Sequence, residues 1–99
     1  MPNGEGSATR AARGSVRLIN RQGLHARPIS QFVDLVTRAG ARVQVTGPDG
    51  TVADGSSVFS MMTLAAGEGS ELAISVSGSG AEDLLAALVD LVGSGFGEL

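Results

Sequence analysis

A chain of 99 residues that is 42% hydrophobic, with three Phe and no Trp or Tyr, has room for one domain around an aliphatic core. It contains no cysteine, which excludes disulfides, thiolate metal sites and a Cys nucleophile. The net charge of −3 is unevenly spread: residues 1–48 hold all seven Arg against Glu5 and Asp34, and residues 49–99 hold eight acids and no base. An acidic total with no aromatic platform argues against the nucleic-acid arm that the Arg-rich half would otherwise suggest.

No apolar run approaches the roughly 18 residues of a membrane span. The first 14 residues, MPNGEGSATRAARG, lack the apolar core of a secretory signal and are expected to be a flexible tail (1–14) ahead of a single domain (15–99). SVRLIN (15–20) reads as a strand with Val16 and Leu18 on one face, and RQGLHA follows as a loop broken at Gly23. From Ala26 to Arg38, Ile29, Phe32, Val33 and Val36 recur at helical spacing, with Pro28 suited to the first turn and Gly40 to the stop. ARVQVT (41–46) alternates with Val43 and Val45 inward, GPDG (47–50) is a turn, and TVA returns as a short strand. SSVFSMMTLAA (56–66) places Val58, Met61, Met62 and Ala65 at helical spacing behind serines able to cap it. ELAISVS (71–77) alternates Leu72, Ile74 and Val76. SGAEDLLAALVDLVGSG closes the chain as a helix capped at Ser79 or a neighbour, with Glu82 and Asp83 in its first turn. The order β-α-β-β-α-β-α predicts an α+β domain: a four-stranded, largely antiparallel sheet covered on one face by three helices.

His25 is the sole histidine, placed where a loop becomes a helix. A lone His at a helix start is ordinarily a surface or capping residue. Here three neighbours point elsewhere. The unpaired N–H groups of the helix start form an anion site, Arg27 offers a permanently charged forked donor two residues on, and Gly23 permits a close backbone approach. A neutral imidazole, with an ordinary pKa of about 6.5, is a competent nucleophile, and a phosphoryl group added to it would meet oriented donors and a guanidinium. GPDG and GEGS lack the lysine and the context of a nucleotide-binding loop, and Asp49/Asp54 and Glu82/Asp83 read as turn and helix-start acids. The chain is therefore equipped to accept and hand on a phosphoryl group without extracting one from a nucleotide, which describes a carrier rather than an enzyme and calls for no cofactor or metal.

GLHARPISQFV resembles the active-site signature of the HPr family, the histidine phosphocarriers of the bacterial sugar phosphotransferase system. SSVFSMMTLAAGEGSELAISVSG resembles that family's second signature, and the similarity runs over residues 15–97. The resemblance implies the family's open-faced β-sandwich in a cytoplasmic monomer. It implies a phosphoryl group received by His25 on Nδ1 from enzyme I, with phosphoenolpyruvate as original donor, and passed to an enzyme IIA. Arg27 and the backbone N–H groups at Ala26 would support the phosphate. Paralogues lacking the histidine are ruled out by His25 itself.

By the same resemblance Ser57 stands where the family carries a regulatory serine, addressed by an HPr kinase/phosphorylase. Ser56 replaces the basic residue usual before it, and simple helix capping is the competing account. Val58, Phe59 and Met62 match the family's partner-docking positions. Met61 and Ala65 are expected inward, with Phe59 and Met62 at least partly exposed. The alternative function is a regulatory interaction module, and GSGFGE near the C-terminus resembles the nitrogen-related branch of the family.

Overall fold

The structure, a computed structural model, describes residues 11–98. Strand β1 runs Ala11–Arg17, helix α1 Ala26–Ala39, β2 Arg42–Thr46 and β3 Val52–Asp54. Helix α2 spans Val58–Met62, β4 Glu71–Ser77 and α3 Ala81–Gly93, and a 3-10 turn at Gly95–Gly97 follows. The four strands form one antiparallel sheet in the order β1-β4-β2-β3. Central β4 pairs Val76 with Ala12 and Val43, and Ile74 with Gly14 and Val45. These alternate positions put Val43, Val45, Leu72, Ile74 and Val76 on one buried face, while Arg13, Gln44 and Glu71 point to the other.

The helices cover that apolar face alone. Ile29, Phe32 and Val36 of α1, Met61 of α2, and Leu84, Leu88 and Val92 of α3 join the strands in one core. Pro28 sits in the first turn of α1, and Gly40 ends the helix in the left-handed region (φ 70°), its N–H bonded to the Val36 carbonyl at 3.1 Å. No helix among the described residues is long and apolar enough to cross a membrane.

Three boundaries differ from the sequence reading. β1 begins at Ala11, so residues 11–14, expected in the tail, are strand; the rest of that tail lies outside the described residues. Pairing with β4 imposes strand on a stretch poor in β-branched residues. Leu18 follows the last strand residue yet keeps the inward parity, because its N–H and carbonyl bond Ser70 and Gly69 at 2.8 and 2.7 Å. Helix α2 stops at Met62 instead of running to Ala66. The Ala66 carbonyl accepts from Leu24 N–H at 2.9 Å, and the chain leaves its helical path through Ala65 at φ 48°. Ala65 is thereby exposed, not inward, and Leu64 and Ala66 are buried in its place. The cap of α3 is Gly80, the neighbour of Ser79, as the reading allowed, and it makes no side-chain bond.

Candidate functional site

The loop before α1 is closed by its own backbone and one side chain. Gly23 N–H donates to the Asn20 carbonyl at 3.1 Å, and Asn20 Nδ2 donates to the Gly23 carbonyl at 2.8 Å. Gly23 holds φ 62°, and a Cβ there would lie 2.5 Å from the Ala66 carbonyl oxygen. The turn is thus pressed against the segment that follows α2, and the Leu24–Ala66 bond pins it there.

His25 is the N-cap residue of α1 in extended conformation, and its side chain makes no capping bond. Its carbonyl accepts the first helical bond, from Ile29 at 3.1 Å. Pro28 has no N–H, so the outward donors of the first turn are the amides of Ala26 and Arg27. The imidazole is instead held from the far end of the chain, with Nε2 at 3.0 and 3.2 Å from the two carboxylate oxygens of Glu98. Glu98 reaches it because Phe96 is buried as an anchor, at φ 57°, within the turn that follows α3.

The Glu98 carboxyl is held below its ordinary range, first by the hydrogen bond from Asn20 Nδ2 (3.0 Å), then by that from His25, with the charges of His25 and Arg27 acting in the same direction. An ionised carboxylate only accepts, so in the neutral imidazole this pairing puts the proton on Nε2 and the lone pair on Nδ1. The imidazole side chain is 33% exposed and Glu98 23%. Around them Arg21, Gln22, Arg27 and Gly97 complete a shallow depression whose two guanidinium groups suit an anion.

The structure therefore brings His25, Ala26 and Arg27 together at one helix start. It adds Glu98, Asn20 and Arg21, which the sequence reading did not single out. Gly23 marked the loop ahead of His25, but nothing local in GSGFGE links it to a residue 73 positions away.

Ser57 lies elsewhere, at the start of α2. Its Oγ accepts from Ser60 N–H at 3.1 Å, so it caps the helix. Asp54 N–H donates to Ser60 Oγ (2.8 Å), and Ser56 Oγ donates to Asp54 Oδ1 (2.7 Å). Val58, Phe59 and Met62 are exposed, Phe59 at 86% and Met62 at 56%, while Met61 is buried. Helix α2 packs beside α1, so this apolar patch and His25 stand on neighbouring helices.

The family model described as "PTS HPr component phosphorylation site" matches residues 12–94. The chain belongs to the HPr family. It is similar to the phosphocarrier protein HPr of Pseudomonas aeruginosa (36% identity, 84% of this chain and 92% of that one). It is similar also to the phosphocarrier protein NPr of Escherichia coli K12 (32%, 85% and 93%). An HPr structure from Thermoanaerobacter tengcongensis superposes with a TM-score of 0.83 at 31% identity, over 89% of this chain and 98% of that one. The antiparallel sheet with three helices on one face is thus the open-faced sandwich of HPr proteins. The protein is a phosphocarrier of the phosphotransferase system rather than an enzyme with catalytic turnover. The matched segment includes His25, Arg27 and Ser57 and stops short of Glu98.

Proposed function

We propose that His25 accepts a phosphoryl group on Nδ1 from phosphorylated enzyme I, with phosphoenolpyruvate as the original donor, and passes it to an enzyme IIA. The observation that carries this reading is the Nε2–Glu98 pair. It leaves the neutral ring's lone pair on Nδ1, in a depression that Arg21 and Arg27 also line. In the forward step that lone pair forms the N–P bond while the donor atom of enzyme I leaves phosphorus with its bonding electrons. The ring gains positive charge, which Glu98 offsets through the Nε2 proton. The phosphoryl oxygens are met by the Ala26 and Arg27 amides and the Arg27 guanidinium. The second transfer reverses these roles, and the cytoplasm, where phosphoenolpyruvate is available, is where we place both.

Val58, Phe59 and Met62 provide the docking patch, since an exposed Phe and Met beside a charged site suit transient contact with more than one partner. Ser57 is accounted for by capping, and a phosphate there would act by setting charge beside that patch. A second reading is a regulatory, nitrogen-type role with the same His25 chemistry, favoured by the similarity to NPr and by GSGFGE.

The test is intact-mass analysis after incubation with enzyme I and phosphoenolpyruvate, comparing wild type with His25→Ala. An acid-labile phosphoryl adduct on the wild type alone is expected. No adduct, with the same enzyme I active on another carrier, refutes the proposal. Offering the phosphorylated protein to sugar-type and nitrogen-type IIA proteins then separates the two readings.

A further inference from the structure

We propose that Asn20 is a positioning residue for the phosphoryl-accepting imidazole, acting through Glu98 rather than by touching the transferred group. The inference rests on the reading of His25 as acceptor and adds a residue that lies outside the signature around it.

Asn20 is fully buried, although Arg21 and Gln22 beside it are exposed. Its two amide hydrogens serve different ends of the chain. One closes the local turn on the Gly23 carbonyl at 2.8 Å, and the other reaches Glu98 Oε1 at 3.0 Å, 78 residues away. Its Oδ1 is buried and accepts no hydrogen bond among the described residues. A side chain that served turn closure alone would have no use for the second donation.

The use of that donation follows from how Glu98 divides its oxygens. Oε1 is shared between Asn20 and His25, while Oε2 faces His25 Nε2 at 3.0 Å. Glutamate has three rotatable side-chain bonds, so alone it would sample many orientations. Asn20, clamped at its other hydrogen by the turn, fixes the carboxylate with one oxygen on the ring proton. The Glu98 charge is thereby kept on the Nε2 side of the ring and away from phosphoryl oxygens arriving at Nδ1. The groups facing Glu98 are His25 from the start of α1, Arg27 from its first turn, Arg21 from the loop, and Asn20 itself.

A double-mutant cycle tests this. Asn20→Ala and Glu98→Ala are each expected to slow phosphoryl acceptance from enzyme I about tenfold, the scale of one charged hydrogen bond. The double mutant is expected to be no slower than Glu98→Ala. Multiplying effects would place Asn20 in the turn alone and overturn the proposal. Asn20→Ser, which keeps a hydroxyl for the turn but cannot reach Glu98, repeats the test should the alanine variant fail to fold.

The second readout needs no partner. By NMR, the Glu98 carboxyl is expected to titrate at higher pH in the Asn20 variants than in wild type, and an unchanged midpoint overturns the proposal. If wild-type His25 takes no phosphoryl group, the carrier reading fails by itself, and the Glu98 titration still decides the role of Asn20.

Discussion

Gly23→Ala separates two costs that the structure superposes on one residue. The first is conformational: at φ 62° an alanine pays the left-handed penalty of about 1–2 kcal/mol. The second is steric. The new Cβ would stand 2.5 Å from the Ala66 oxygen and 2.6 and 2.9 Å from Gly67 Cα and C. All three are backbone atoms, so no rotamer change relieves them. The two segments must part, weakening the Leu24–Ala66 hydrogen bond, which adds about 1 kcal/mol and repulsion of similar size. The sum is about 3–4 kcal/mol, a large share of the roughly 5–15 kcal/mol that holds a small domain together. Gly40→Ala is the matched control: its φ is 70°, and nothing lies within 4 Å of the added Cβ, so only the first cost of about 1–2 kcal/mol applies. Urea unfolding of the three proteins, with the slope m constant, measures the difference. Phosphoryl acceptance, compared at equal folded fraction, should fall for Gly23→Ala alone, because the displaced turn carries His25. Equal destabilisation by the two substitutions, with equal rates, would refute the view that the His25 loop is held by its apposition to residues 66–67.

Glu98 stabilises the fold with a defined pH sign. Its carboxyl titrates below the usual glutamate value of 4.5 when folded, so its contribution is complete above that value and is lost as pH falls through the folded one; the Tm gap between wild type and Glu98→Gln should close on acidification, followed by calorimetry. Ser57→Ala should cost about 1 kcal/mol through loss of the cap on α2, measured by urea unfolding. Ser57→Asp should retain that cap yet raise the KM for enzyme I by placing charge beside Phe59 and Met62. Adjacent methionines should behave oppositely: Met61→Ala should cost about 2–5 kcal/mol, and Met62→Ala no more than about 0.5 kcal/mol while weakening docking, read by denaturation and by phosphoryl-transfer KM.

The sequence made the sheet legible wherever alternation was strict. Val43/Val45 and Leu72/Ile74/Val76 name their buried face directly, because side-chain period and burial coincide. Residues 11–14 gave no such signal, since Ala-Ala-Arg-Gly becomes strand only through its partners on β4. The end of α2 was equally hidden: Ala65 continues a helical pattern, but a tertiary bond from Leu24 to Ala66 takes the chain out of it. The same division holds at the site. His25, Ala26 and Arg27 are neighbours in sequence and could be read together; Asn20 and Glu98 become neighbours only once α3 has docked and Phe96 has anchored the turn beyond it.

That division bears on how a carrier differs from a phosphate trap. Amides at a helix start and arginines strengthen the hold on a phosphoryl group, and more of them would make it harder to release. Glu98 acts on the other side of the ring. On the proposed chemistry, its pairing with the Nε2 proton would set how much positive charge a phosphorylated imidazole bears, and that charge governs how readily nitrogen leaves phosphorus. Under that proposal, hold and release would be adjusted by different residues, far apart in the sequence. The shallow, half-open depression leaves the remaining donors to whichever partner covers it, so that acceptance and release are each completed by docking rather than by the carrier alone.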